Sequence, residues 1–166
     1  HVLKVGKSPE RVQELELYFR KISKFRSRHC PAVFGWQVLD GYPVLVMDFI
    51  DGRRLSDLAS HGLLDIDLID EIIAQIQIAI IEMHGEGLHH GDLHPENILI
   101  DQRGRVQLID FGNIRSGELV EGSPPYIAAE VWTCGKSEPG SDWFALGLLY
   151  EDLLNWNHLG VRTVLE

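Results

Sequence analysis

Apolar residues recur along this chain in two periods. Val2, Leu3 and Val5 make a short, β-branched run with strand character. Beyond it the period lengthens. Val12, Leu15, Tyr18, Phe19 and Ile22 fall on one helical face, behind Ser8 as cap, Pro9 in the first turn and Glu10 near the positive helix end. A helix from Ser8 to about Ser23 is predicted. Val33 to Leu39 and Tyr42 to Phe49 read as two strands, and Asp40-Gly41 between them is a strong hairpin signal. Gly52 to Ser56 reads as the opening of a short helix. Ile69, Ile72, Ile73, Ile76, Ile80 and Met83 mark one face of a long helix, with its stop at Gly85 or Gly87. Ile98-Leu99-Ile100 and Val106-Gln107-Leu108-Ile109 are strands around an Arg103-Gly104 turn. Asp142 to Leu154 is apolar on almost all sides, the pattern of a buried helix. No repeat, low-complexity tract or linker interrupts this order.

A chain of 166 residues, 45% apolar, is long enough for one domain with a sizeable core. No apolar run is long enough to span a bilayer, and no basic-then-apolar leader opens the chain. The start at His1, inside a strand, points to a fragment or a trimmed chain. The formal net charge of −10 argues against nonspecific binding to nucleic acid, which needs a positive field. Cys30 and Cys134 read as two reduced thiols, which sets the expectation of a cytoplasmic protein. Lys21, Lys24, Arg26 and Arg28 complement the negative end of the first helix rather than forming a phosphate patch.

The densest chemistry lies in His90-Gly91-Asp92-Leu93-His94-Pro95-Glu96-Asn97, followed thirteen residues later by Asp110-Phe111-Gly112 behind a strand. A transferred phosphoryl group carries charge that Mg²⁺ neutralises, and Mg²⁺ takes hard oxygen ligands. Asn97 offers an amide oxygen and Asp110 a carboxylate, while Asp92 can accept or orient the proton of an attacking hydroxyl. His90 reads as a packed histidine that braces the loop.

This set of motifs resembles the protein-kinase superfamily, and the resemblance runs along nearly the whole chain. It implies an α+β, bilobal fold: a truncated small β-lobe over residues 1–50 and a mainly helical large lobe over residues 51–166, ending after the buried helix of Ser141 to Glu151. It implies ATP and Mg²⁺ as nucleotide and cofactor. Lys4 stands where the family has the lysine on the α- and β-phosphates. Its partner is expected on the first helix, where Glu10, Glu14 and Glu16 compete, with Glu14 preferred and Glu16 next. Met47 stands at the gatekeeper position, Asp48 and Ile50 offer backbone groups to the adenine edge, and Leu99 lies beneath the ring. Asn97 and Asp110 are the implied metal ligands, and Asp92 the catalytic carboxylate. His94 either contacts the γ-phosphate or hydrogen-bonds the loop. Gly122 to Glu130 resembles the segment ending in Ala-Pro-Glu. Ser123 in it is expected to hydrogen-bond the catalytic Asp. Asp142 is expected to hold the loop backbone from below.

The chain also departs from the pattern. Gly91 replaces the usual Arg, His94 the usual Lys, and Ala129 the Pro of Ala-Pro-Glu. His-Gly-Asp-Leu-His is similar to the loop of aminoglycoside, choline and lipopolysaccharide-sugar kinases. The leading expectation is a protein Ser/Thr kinase, because Gly122 to Glu130 shapes a peptide ledge in that family. The alternatives are a small-molecule or lipopolysaccharide-sugar kinase and an inactive kinase fragment or pseudokinase.

Overall fold

The structure, a computed structural model, describes residues 1–5, 12–111, 126–134 and 137–164. Strand β1 (Val2–Val5) pairs with β3 (Tyr42–Met47), and β3 pairs with β2 (Val33–Leu39), all antiparallel. Lys4 stands opposite Leu45, whose side chain is fully buried. The β2–β3 hairpin closes through Asp40 and Gly41 at φ 50° and 84°, the left-handed pair that a two-residue turn demands. Strand β3 ends at Met47 rather than Phe49, because Phe49 turns out to solvent. Helix α1 (Val12–Ile22) packs on this sheet through Phe19, which lies beside Trp36, and the buried Ile22. The expected cap at Ser8 lies outside the described residues.

A second antiparallel sheet contains β4 (Gly52–Arg54), β5 (Ile98–Asp101) and β6 (Val106–Leu108). Residues Gly52–Arg54, which the sequence pattern assigns to a helix start, form a strand instead, and α2 (Leu55–Ser60) begins after them. The cause is a close approach: a Cβ on Gly52 would stand 2.7 Å from the Ile100 carbonyl oxygen. Helix α3 (Ile66–Gly85) starts at Asp65, whose carboxylate accepts the Leu68 N–H at 2.8 Å. Gly87, at φ 68°, turns the chain away after its end.

The core of the helical lobe lies between α3, the second sheet and α5 (Pro139–Val164). Ile69, Ile72, Ile76, Ile80 and Met83 face Leu146, Leu149 and Leu153 across it. Each such side chain contributes roughly 1.5–3 kcal/mol of burial. Helix α5 runs beyond the predicted Asp142–Leu154 at both ends. Pro139 suits a first helical turn, and Gly160 alone does not stop the helix. The short α4 (Ala129–Cys134), not expected from the sequence, precedes it.

The two sheets are tied together by the segment after α1. The buried His29 donates from Nδ1 to the Val106 carbonyl at 3.1 Å, and its own carbonyl accepts the Leu108 N–H at 2.7 Å. Gln75 fixes the β5–β6 turn to α3, donating to Gly104 and accepting from Val106, each at 3.0 Å. The loop from His90 to Asn97 therefore enters β5 from a rigid frame.

Candidate active site

Asp142 explains how that loop is held. Its side chain, on the first turn of α5, is 1% exposed. Oδ2 accepts the His90 N–H at 2.8 Å and His84 Nε2 at 2.9 Å, and Oδ1 accepts the Gly91 N–H at 2.8 Å. A carboxylate in so apolar a place needs donors of this kind, and the loop backbone supplies two of them. Gly91 sits at φ 75°, a left-handed conformation that suits glycine. His90 is fully buried and donates from Nε2 to the Ile109 carbonyl at 3.0 Å, which leaves Nδ1 to accept the Asp92 N–H at 3.2 Å. Burial holds its imidazole below the ordinary pKa. His90 is thus a brace between the loop and the strand that leads to Asp110.

Asn97 closes a 3-10 turn at Pro95–Asn97. Its backbone carbonyl accepts the Ile109 N–H at 2.9 Å, so it abuts the residue before Asp110. Its Nδ2 donates to the Asp92 carbonyl at 2.9 Å and lies 3.5 Å from the Asp92 carboxylate and 2.9 Å from His94 Nε2. His94 Nε2 is 3.8 Å from Asp92 Oδ2. Asp92, His94 and Asn97 therefore form one cluster.

Asp110 follows Ile109, the residue bonded to the Asn97 backbone, and stands at φ 59°. Aspartate tolerates that left-handed region better than most residues, and such conformations gather at functional sites. Its Oδ1 accepts Lys4 Nζ at 3.0 Å. Phe111 anchors the turn, 3% exposed and edge-on to Phe25 with ring centroids 6.0 Å apart. Lys4 thus meets the carboxylate of Asp110. Glu16, the second choice as its partner, accepts Arg20 at 2.6 Å one turn along its own helix. The side chain of Glu14 and the whole of Ser123 lie outside the described residues.

At the expected adenine edge, Met47 is buried, and Asp48, Ile50 and Leu99 are half-buried. Asp48 is held twice by Ala32: its N–H donates to the Ala32 carbonyl at 2.9 Å, and its carboxylate accepts the Ala32 N–H at 3.1 Å. The Asp48 carbonyl and the Ile50 N–H enter no backbone–backbone hydrogen bond among the described residues. A crevice of about 20 Å³ lies beside Asp92 and His94, walled by Tyr126, Ala128 and Val131. A larger groove, about 460 Å³, borders Asp48 to Asp51 and the β5–β6 turn but touches neither Lys4 nor Asp110.

The sequence reading missed His84, His29 and the bond from Tyr126 to Asp152 at 2.7 Å. His84 carries a weak signal, a polar residue at the end of an apolar helix, six positions before His90. Burial and that bond to Asp152 raise the Tyr126 phenol, and burial raises the Cys30 thiol to about 12, so neither is poised to ionise near neutrality.

The sequence matches the profile described as protein kinase domain over residues 11–160. The chain belongs to the protein kinase domain family. It is 37% identical over 118 residues to the serine/threonine-protein kinase AtPK1/AtPK6 of Arabidopsis thaliana, covering 66% of this chain and 25% of that protein. It is 32% identical over 145 residues to the serine/threonine-protein kinase PknL of Mycobacterium tuberculosis, covering 81% of this chain and 36% of that one. The chain thus spans about a quarter to a third of these relatives. The crystal structure of the M. tuberculosis PknI kinase domain superposes with a TM-score of 0.71 at 24% identity, over 91% of this chain and 60% of that one, a likeness of fold. As a kinase domain the chain has the α+β architecture expected of it. No helix among its described residues is long and apolar enough to cross a membrane.

Proposed function

We propose that this chain is the catalytic part of an ATP- and Mg²⁺-dependent kinase that phosphorylates serine or threonine hydroxyls of proteins. The observation that carries the reading is the Lys4–Asp110 ion pair, one residue beyond Ile109, which both Asn97 and His90 grip. A cation, two carboxylates and an amide oxygen are the parts that phosphoryl transfer uses. Residues 1–50 would serve as the small-lobe portion and residues 51–166 as the large-lobe portion, with ATP in the cleft between them.

Mg²⁺ fits the donor set on chemical grounds. Asp110 is a half-exposed carboxylate already facing a cation, and the Nδ2 bonds of Asn97 turn its amide oxygen away from Asp92. Mg²⁺ uses one or two protein oxygens besides waters and phosphates. It needs no cluster of three or more acidic, His or Cys side chains, and the described residues contain none. Bound there by Asn97 and Asp110, Mg²⁺ would neutralise charge on the transferring phosphoryl group.

The protein's own residues do the rest. Lys4 holds the α- and β-phosphates. Met47 and Leu99 enclose the purine, while the Asp48 carbonyl and Ile50 N–H meet its edge. Asp92 orients the acceptor hydroxyl and takes its proton. Ser123 and Glu14 complete the set as hydroxyl-side and lysine-side partners. The names of the relatives support a protein acceptor, and Gly91 and His94 are the features that would suit a small-molecule acceptor instead.

Incubation with radiolabelled ATP and Mg²⁺ tests the proposal. Transfer to serine or threonine of a general protein acceptor is expected, abolished by Asp92→Ala and by Asp110→Ala. Full activity in either purified variant contradicts the assignment. Labelling of sugars and never of protein overturns the acceptor class.

A further inference from the structure

Where protein kinases carry a lysine two residues beyond the catalytic aspartate, this chain has His94, and the hydrogen bonds around Asn97 decide what that histidine does. The Asn97 side-chain atom nearest Asp92 lies 2.9 Å from the Asp92 carbonyl and 3.5 Å from its carboxylate. Both of those oxygens only accept, so the atom is the NH₂ group and not the amide oxygen. The same NH₂ lies 2.9 Å from His94 Nε2. Its two hydrogens are thus divided between the Asp92 carbonyl and the imidazole. Nε2 of His94 must present a lone pair, and the ring proton then sits on Nδ1.

Two consequences follow. First, His94 in this arrangement is an acceptor, whereas a lysine ammonium can only donate. A lysine here would face the Asn97 NH₂ donor against donor. Second, the two acceptors fix the amide plane of Asn97, and with it the direction of the amide oxygen. The backbone supports the same arrangement, since the Asn97 N–H donates to the His94 carbonyl at 2.9 Å. His94 itself is held in place, its side chain 15% exposed.

We infer that His94 is a positioning residue for the metal ligand Asn97: it holds the side-chain amide by accepting its N–H, so that the amide oxygen is presented to Mg²⁺. This rests on the proposed kinase function for the metal, though not for the hydrogen bond. Partners of this kind, one shell out from a metal, typically change metal affinity by about 10–100-fold when removed.

The test compares His94→Gln, which keeps an acceptor, with His94→Lys and His94→Ala, which do not. Mn²⁺ binding in the presence of ADP, read by electron paramagnetic resonance, is the first measurement. Binding about tenfold weaker is expected for the Lys and Ala variants, and within about threefold of wild type for the Gln variant. ADP binding in EDTA should be equal in all four proteins. The second measurement needs no nucleotide: the side-chain amide resonances of Asn97 should move in the Lys and Ala variants and stay near their wild-type position in the Gln variant.

Wild-type Mn²⁺ affinity in the Ala variant overturns the inference. So does a Lys variant that binds Mn²⁺ as well as wild type, because that places His94 on the phosphate and not on Asn97. If wild type binds no metal with ADP, the functional reading falls and the metal role with it. If wild type binds Mn²⁺ but the Asn97 resonances ignore all three substitutions, only the positioning role is refuted.

Discussion

Replacing Asp142 probes how the catalytic loop is held. Its two oxygens accept three N–H donors, from His90, Gly91 and His84, at 2.8, 2.8 and 2.9 Å in a site 1% exposed. Asparagine keeps the shape but has a single oxygen. With that oxygen in the place of Oδ2, the bonds to His90 and His84 survive and the NH₂ confronts the Gly91 N–H. With the amide turned over, two bonds are lost. The better orientation still leaves two opposed, buried donors, which costs about 2–3 kcal/mol. Asp142→Ala strands all three donors and should cost roughly 4–6 kcal/mol, a large part of the ~5–15 kcal/mol that holds a domain of ordinary stability. Relief of the carboxylate's own desolvation pulls both figures toward their lower ends. Urea unfolding of wild type and the two variants measures the costs, and the amide shifts of His90 and Gly91 report where the bonds were lost. An Asn variant within 0.5 kcal/mol of wild type (~0.5 being the scatter of inconsequential substitutions), with both amides unmoved, would refute the reasoning.

Two further outcomes are expected. Gly52→Ala drives a methyl group to 2.7 Å from the Ile100 carbonyl oxygen and should destabilise by about 1–3 kcal/mol, read as a lower melting temperature; an unchanged melt would show that β4 yields without cost. The buried His90 resists protonation in the folded state, so the unfolded chain takes up the proton first as pH falls through about 6.5. Its stabilising contribution is present above that pH and is lost on acidification below it. Melting temperature should fall between pH 7 and pH 5, values bracketing the ordinary histidine range of about 6.5, with a shallower slope in His90→Gln; parallel slopes in the two proteins would contradict this.

Local patterns in the sequence reached as far as local physics does. The Asp40-Gly41 turn and the apolar stripe of α3 depend on neighbours a few residues apart, and each is found where periodicity and turn chemistry put it, whereas α5, expected to be buried all round, buries one face and leaves Trp143 and Phe144 exposed. The acidic residue in so apolar a helix also announced its need for donors, and Asp142 has them. Gly52 was misread because its reason is the carbonyl of Ile100, and no local pattern records a neighbour so distant in sequence. The preferred partner of Lys4, Glu14, has its side chain outside the described residues; among those described, the ammonium meets Asp110, 106 positions away. Glu16, the second choice, pairs with Arg20 one helical turn beyond it. His94 shows the reverse case. Its spacing from Asp92 left two roles open, and the 2.9 Å contact with the Asn97 amide is what supports the proposed role within the loop. Motif spacing therefore picks out side chains that gather around one loop, as Asp92, His94 and Asn97 do, while the donor and acceptor count there determines what each of them can do.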